Sequence, residues 1–197
     1  MQLVVDWDGT CTVRDTLLMV VEEFGDPTLE ASLDAALEAG SMTHREVMEI
    51  EFAAVRSPLD EVVAFIVDRA ELRPGFHELA ARGPIVLSSG FHETIEPVLR
   101  REGVELIVRA NRVEARPDGW RIRHLSETPC AVCGQWCKRA ALPPGDVVYV
   151  GDGFSDRCAA LAATRVFARA GLAEHLAGIG VPFEPFDTLR DVVARIP

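Results

Sequence analysis

The chain has 197 residues, 48% of them hydrophobic, and a formal net charge of −11 at pH 7. That length suits one domain, or a core with a smaller insert. The acidic balance argues against wrapping nucleic acid or lying on an anionic membrane, and no apolar run approaches the length of a membrane span. Five cysteines, an odd number, argue against a complete disulfide framework. An acidic motif as early as Asp6 leaves no room for a cleaved signal peptide, so the expectation is a cytoplasmic protein.

Gln2-Leu3-Val4-Val5 is short, apolar and β-branched, the pattern of a buried strand. It ends in Asp6-Trp7-Asp8-Gly9-Thr10, two carboxylates one residue apart. Taken alone, the Asp-Gly step also fits a surface turn. From Asp15 the period changes. Residues 15–25 carry a helical stripe of Leu17, Leu18, Val20, Val21 and Phe24 that stops at Gly25. Residues 29–39 are rich in Ala, Leu and Glu. Thr43 with Glu46 is a capping-box pattern opening a helix through Val55. Ser57-Pro58 starts another through Ala70, with Pro in its first turn. Residues 15–73 therefore predict a small all-helical insert, and Pro74-Gly75 marks the return to a core of residues 1–14 and 74–197.

Beyond the hinge, residues 76–82 predict a short helix and 84–87 a second buried strand, which runs into Ser88-Ser89-Gly90. A helix over 93–102 precedes a third strand over 104–108. Residues 113–124 suggest a hairpin turning at Pro117-Asp118-Gly119. Residues 128–145 read as loop. A fourth strand at 146–150 runs into Gly151-Asp152-Gly153-Phe154-Ser155-Asp156, with a helix to Ala163 after it. A fifth strand at 165–168 and helices near 172–178 and 188–195 complete an alternation that implies a parallel α/β sheet with right-handed crossovers.

Three of these strands end in polar chemistry: Asp6 and Asp8, Ser88, and Asp152 with Asp156. In a parallel sheet all strand carboxyl ends share one edge, so these distant residues can meet. Among the 20 basic residues, Lys138 is the one lysine. A position that keeps Lys where Arg is the rule suggests a need for a compact ammonium; the plain alternative is a surface lysine left by chance. Acids for Mg²⁺, a hydroxyl, an ammonium and glycines that free backbone amides make a set suited to a phosphate ester. Dinucleotide, Walker and calcium-loop patterns do not fit. Gly151-x-Gly153 lacks a third glycine, no Gly-Lys-Ser/Thr occurs, and Leu17 stands where a calcium loop needs Glu.

Asp6-Trp7-Asp8-Gly9-Thr10, Ser88, Lys138 and Gly151-Asp152-Gly153-Phe154-Ser155-Asp156 resemble, in order, the four motifs of the haloacid dehalogenase-like (HAD) hydrolases. The resemblance implies a Rossmann-like core and a helical cap inserted after the first strand, as in the phosphoserine-phosphatase-like branch. It implies Asp6 as nucleophile, forming an aspartyl-phosphate, and Asp8 as acid and base. Ser88 and Lys138, with Ser89 and Gly90 beside them, would hold the phosphoryl group. Mg²⁺ would lie between Asp6, the Asp8 carbonyl and Asp152, with Asp156 in support. Asp15 occupies the place of a substrate-facing glutamate, whereas the helix around Arg45 shows no matching carboxylate-binding arginine, which argues against phosphoserine. Cys133, Cys137-Lys138, Gly151-Asp152 and Val166-Phe167-Ala168-Arg169 resemble the methionine-salvage phosphatases of the family. The expected activity is hydrolysis of a small phosphorylated metabolite. The alternatives are phosphoryl transfer to a small alcohol and a non-catalytic ligand-binding member.

Cys130-x-x-Cys133-x-x-x-Cys137 could hold Zn²⁺, with His124 as a fourth ligand; three reduced loop thiols is the plain alternative. Cys11, beside the site, is expected to pack, Trp7 to be core, and His92 to start a helix.

Overall fold

The computed structural model describes residues 1–196. Its seven strands are β1 (Gln2–Val5), β2 (Ile85–Phe91), β3 (Ile107–Glu114), β4 (Arg121–Arg123), β5 (Val147–Gly151), β6 (Arg165–Ala168) and β7 (Glu184–Pro185). They form one sheet of order β4-β3-β2-β1-β5-β6-β7, parallel except for the β3–β4 hairpin. The strands nearest the centre are continuous apolar runs because helices cover both faces. Val5, Val86, Val148 and Val150 face one layer, while Val4, Leu87, Val147 and Tyr149 face the other.

The helices are α1 (Thr16–Phe24), α2 (Glu30–Glu38), α3 (His44–Ala53), α4 (Leu59–Arg69), α5 (Phe76–Ala80), α6 (His92–Arg101), α7 (Arg157–Ala160), α8 (Ala170–Gly178) and α9 (Leu189–Val193). Leu79 of α5, Ile95 and Val98 of α6, and Leu189 and Val192 of α9 bury one face of the sheet. Ala159, Ala160, Leu172 and Leu176 of α7 and α8 bury the other. Among the described residues no helix is long and apolar enough to cross a membrane.

Register positions the site. Val5 lies opposite both Val86 of β2 and Val150 of β5. The residues that follow, Asp6, Leu87-Ser88 and Gly151-Asp152, therefore leave the sheet at one level. Because chain order runs outward in both directions from β1, this level is also the point where the topology switches, the position at which α/β sheets bind ligands.

Local chemistry explains most boundaries. Asp15 caps α1 by accepting from the amides of Leu17 and Leu18 (2.8 and 3.0 Å), and Gly25 closes it. Thr43 and Glu46 form the expected capping box on α3. Pro58 sits at the N-cap of α4, one position before the first turn.

Several boundaries differ from the sequence reading; β2 runs on to Phe91 and β3 to Glu114. The third strand begins at Ile107, not at Val104, because the Val104 amide bonds back to the Leu99 carbonyl (3.0 Å) while Gly103 adopts φ +67°. The segment that looked like strand is used to close α6. The helix after Asp156 is a single turn. The edge strand β7 is too short, and too rich in proline at its end, to leave a periodic signal.

The segment of α1–α4 leaves and rejoins the sheet through neighbouring stretches bridged at Thr12 and Leu72. It is anchored at the far end by Trp120. That indole stacks on Phe52 of α3 (6.3 Å), and its backbone amide donates to the Phe52 and Val55 carbonyls (3.1 and 3.0 Å). Its Nε1 donates to the Ser57 carbonyl (3.0 Å). Phe52 also meets Phe91, at the end of β2, edge to face at 4.7 Å. Truncating so large a buried ring costs about 3–5 kcal/mol, and losing one buried hydrogen bond about 1 kcal/mol. Trp120→Ala should therefore lower unfolding free energy in urea by the larger amount. Trp120→Phe should lose much less.

Candidate active site

After β1 the backbone stays extended at Asp6 (φ −71°, ψ 159°) and Asp8 (φ −72°, ψ 124°), then closes a wide turn over Trp7–Cys11. Both carboxylates consequently face one cavity, while Trp7 is fully buried on the opposite side against Phe76. Extended backbone at both positions accounts for this same-side placement, although the ladder itself ends at Val5. Gly9 has φ +73°, and a Cβ there would lie 2.3 Å from Asp152 Oδ2, so the turn needs glycine twice over. Arg73 ties the turn down from inside. Its guanidinium donates to the carbonyls of Gly9 (2.7 Å), Thr10 (2.9 Å) and Thr12 (3.1 Å). Arg169 adds a second bond to the Gly9 carbonyl (3.0 Å). Arg73 carries no local sequence signal, and Arg169 stands out only through the resemblance of residues 166–169, since each contacts the turn from a remote part of the chain.

Lys138 is buried, and its Nζ lies 2.5 Å from Asp6 Oδ1 and 2.6 Å from Asp156 Oδ1. Tyr149 donates its hydroxyl to the same Asp156 oxygen (2.6 Å). The other Asp156 oxygen accepts from the amides of Asp152 (2.9 Å) and Gly153 (3.0 Å). Burial alone would raise the Asp156 pKa, but the lysine and these donors hold it below the usual carboxylate range. Burial would lower the Lys138 pKa, and Asp156 with Asp6 raises it instead. Asp6 is different. Burial, followed by the charge of Asp156, pushes it well up, and Lys138 only partly opposes that.

Asp8 accepts from the Thr16 amide (3.1 Å), the Thr16 hydroxyl, and the Ser88 hydroxyl (3.1 Å). Burial, with the charge of Asp15 behind it, raises its pKa to about 7. Ser88 in turn accepts from the Gly90 amide (2.7 Å). A Cβ on Gly90 would come within 2.7 Å of Asp8 Oδ2, so glycine keeps that approach open. The register of β2 shifts between Leu87 and Phe91, and such an irregularity re-aims side chains. Asp152 accepts from Thr10 Oγ1 (2.5 Å), and burial followed by the Asp156 charge lifts it to about 6.

Carboxylate oxygens of Asp6, Asp152 and Asp156 lie within 4.8 Å of one another. Asp156 has both oxygens engaged by donors, which leaves Asp6 and Asp152 to offer oxygens to a cation, with Asp156 orienting Lys138 and the loop amides. Three crowded carboxylates against one ammonium leave negative charge uncompensated, and this donor set is all oxygen. A hard divalent ion fits it.

The cavity above these groups measures about 290 Å³. The structure brings Asp6, Asp8, Asp15, Ser88, Ser89, Lys138 and Asp152 to its wall, with Asp156 directly behind. Asp15 spends one oxygen on capping α1. Opposite the sheet edge, α1–α3 contribute Leu17, Leu37, Val47 and Met48 together with Glu30, Asp34 and Glu51. Those three acids are functional candidates the sequence reading missed, since acids on amphipathic helices ordinarily face solvent. Arg45 does not face this cavity. It lies over the Trp136 ring (4.9 Å) and pairs with Glu49 (2.8 Å). His92 starts α6 and bonds Glu96 (2.7 Å), and Cys11 is buried.

The expected fourth zinc ligand is corrected. His124 Nε2 is paired with Glu49 Oε1 (3.0 Å), and the residue that joins Cys130, Cys133 and Cys137 is Cys158 of α7. Twenty-one positions separate it from its nearest partner in sequence, beyond the reach of a spacing pattern.

Residues 3–161 match the family model for haloacid dehalogenase-like hydrolases. The 2-hydroxy-3-keto-5-methylthiopentenyl-1-phosphate phosphatase of Geobacillus thermodenitrificans (strain NG80-2) is 30% identical over 208 residues, covering 98% of this chain and 94% of its own. Its counterpart in Bacillus cereus (strain G9842) is 26% identical over 205 residues, with coverage of 97% and 93%. A phosphoserine phosphatase solved with a phospho-aspartyl intermediate analogue superposes with a TM-score of 0.74 at 16% identity, over 100% of this chain and 98% of that one, a likeness of fold. The chain belongs to the haloacid dehalogenase-like hydrolase family.

Proposed function

We propose that the protein is a Mg²⁺-dependent phosphatase of a small phosphomonoester, working through an aspartyl-phosphate on Asp6. The observation that carries this reading is the placement of Asp6 and Asp8 on one cavity wall, with Lys138 2.5 Å from Asp6. The relatives named as phosphatases over nearly their full length support it.

Asp6 attacks phosphorus with the oxygen that Lys138 does not hold, and the ester oxygen leaves. Asp8, with its pKa near 7, can carry a proton at working pH and hand it to that oxygen. The resulting carboxylate then takes a proton from the water that hydrolyses the phosphoenzyme. Thr16 and Ser88 hold Asp8 in place, and Ser88 is also in reach of a phosphoryl oxygen. Mg²⁺, held by Asp6 and Asp152 with the Asp8 carbonyl, would draw charge from the phosphoryl oxygens and lessen their repulsion with the nucleophile. The helical segment α1–α4 acts as a cap that shields the reacting groups from bulk water.

The cap wall also bears on the substrate. Lys138 is the one cationic side chain lining the cavity among the described residues, whereas Asp15, Glu30, Asp34 and Glu51 also line it. Burial, then the charges of Asp34, Asp15 and Glu30, lifts Glu51 to about 7, a sign of how crowded with negative charge this wall is. A leaving group bearing a carboxylate would meet repulsion there. A neutral, partly apolar one would pack against Leu17, Leu37 and Met48. The methylthio-bearing phosphate named for the relatives carries no carboxylate, and we infer the same class here.

Asp6→Asn should reduce Mg²⁺-dependent phosphate release by at least about 10³-fold while circular dichroism stays unchanged; parental turnover by that variant would overturn the assignment. With an alkyl phosphate, kcat/KM should fall as pH rises through about 7, because the protonated form of Asp8 is the one that serves the leaving group. Asp8→Asn should remove that limb and slow turnover by about 10²–10⁴-fold. In a substrate panel, 3-phosphoglycerate, whose leaving group carries a carboxylate and no ammonium, should show a kcat/KM at least about tenfold below that of the methylthio enol phosphate, as one unfavourable charge contact of about 1.4 kcal/mol requires.

A further inference from the structure

Lys138 is held between two carboxylates, yet the chain that delivers it has little structure of its own. Between β4 and the single 3₁₀ turn at Lys138–Ala141 there is neither helix nor strand. Most of residues 126–137 are exposed or half-buried. A loop this long inside a compact fold ordinarily needs something to organise it.

We propose that Cys130, Cys133, Cys137 and Cys158 form a tetrathiolate Zn²⁺ site that clamps this loop to α7 and thereby positions Lys138 against Asp156. All four sulfurs lie within 4.8 Å of one another. Cys130 Sγ is 3.9 Å from Cys158 Sγ, and Cys133 Sγ is 3.4 Å from Cys137 Sγ. Four sulfurs at about 2.3 Å from a tetrahedral Zn²⁺ lie about 3.8 Å apart, so the cluster is near the required size as it stands. A disulfide requires about 2.05 Å, and all five cysteines are free.

The backbone around the first pair is shaped for a bound metal. The Val132 amide points at Cys130 Sγ (3.4 Å), the Gly134 amide donates to the Cys130 carbonyl (2.9 Å), and the Cys130 amide to the Gln135 carbonyl (2.8 Å). Gly134, at φ +71°, lets the chain reverse directly after the second thiol. The result is a tight loop whose amide supports a thiolate. Four thiols of a single kind favour Zn²⁺ over the hard ion suited to the oxygen site. With four protein ligands the site is closed, leaving no position for substrate, so its role is structural. On binding, each thiol releases its proton to solvent, and the complex carries a charge of −2. Arg139, which reaches towards the Cys158 carbonyl (3.5 Å), stands beside it.

The placement gives the site its consequence. Cys137 immediately precedes Lys138, and Cys158 follows Asp156 by two residues. One ion would therefore hold both partners of the ion pair that positions the ammonium. The cysteines are positioning residues and touch no substrate. The metal site itself does not depend on the phosphatase reading, since its tests concern metal content and spectrum.

The 197-residue protein, purified in buffer containing micromolar Zn²⁺ and then desalted, should contain about one Zn²⁺ per chain by elemental analysis. Replacing the metal with Co²⁺ should give the intense visible bands and near-ultraviolet sulfur-to-metal charge transfer of a tetrahedral thiolate site. Cys158→Ser and Cys133→Ser should each lose the stoichiometric metal and those bands, whereas Cys11→Ser should keep both. Removing Zn²⁺ with a chelator, followed by excess Mg²⁺, should leave a lower melting temperature that Zn²⁺ alone restores. Wild-type protein holding less than about 0.1 Zn²⁺ per chain, with all four thiols open to a thiol reagent in the folded state, would overturn the proposal. So would a Cys133–Cys137 disulfide in the protein as isolated. An Asp6→Asn variant that keeps parental turnover and still binds Zn²⁺ would overturn the hydrolase assignment and leave the metal site standing.

Discussion

The buried ammonium of Lys138 is the contact on which the rest of the site depends. It sits within 2.6 Å of oxygens from two carboxylates contributed by opposite ends of the chain. Taking these charges out of water is costly. The arrangement is tolerable because each charge is heavily hydrogen-bonded: Asp156 alone receives donors from Lys138, Tyr149 and two backbone amides. Removing the lysine would strand two buried negative charges, a loss of about 3–5 kcal/mol for a broken buried pair. Such a cluster contributes geometry more than net stability. It makes one oxygen of Asp6 unavailable and leaves the other directed at the cavity.

The scaffold supplies this geometry through register and through tight approach. Because Val5, Val86 and Val150 are level, three strand ends release their polar residues at one height. The turn after β1 then carries Asp8 past the end of the ladder without changing its side. Arg73 makes that possible by satisfying carbonyls that a tight buried turn would otherwise leave unpaired. Glycines at positions 9, 90 and 151 stand where any side chain would collide with Asp152, Asp8 or Asp156. Their absence of side chain is what allows carboxylates to crowd together.

Two sites of contrasting hardness follow from one polypeptide. The oxygen-rich cluster under the cavity suits a hard cation and a phosphate. About the loop that precedes Lys138, the thiols suit a soft ion. The loop and the cavity meet at Lys138, so organisation of the one bears on the other. Across the cavity from the sheet edge, α1–α3 present acids beside the apolar side chains of Leu17, Leu37 and Met48.

Sequence alone was sufficient for the α/β class, for the order of most elements and for the residues at the strand ends. Strand alternation, the capping box at Thr43 and an isolated lysine are local signals, and local physics is legible without coordinates. What it could not decide was anything set by contacts between remote segments. Val104 read as strand because its helix-closing bond to Leu99 competes with a pattern that looks extended. Arg73, Tyr149 and Thr16 carried no mark of their part in the site, because each acquires it only from the partner it meets. His124 was the natural fourth member of the cysteine cluster by spacing, yet Cys158 is the residue that joins the three loop thiols, since α7 packs beside the loop. The chain's own order determined which chemical groups were present; tertiary packing decided which of them share a charge, a proton or a metal, because those interactions act over a few ångströms of space and take no account of separation along the chain.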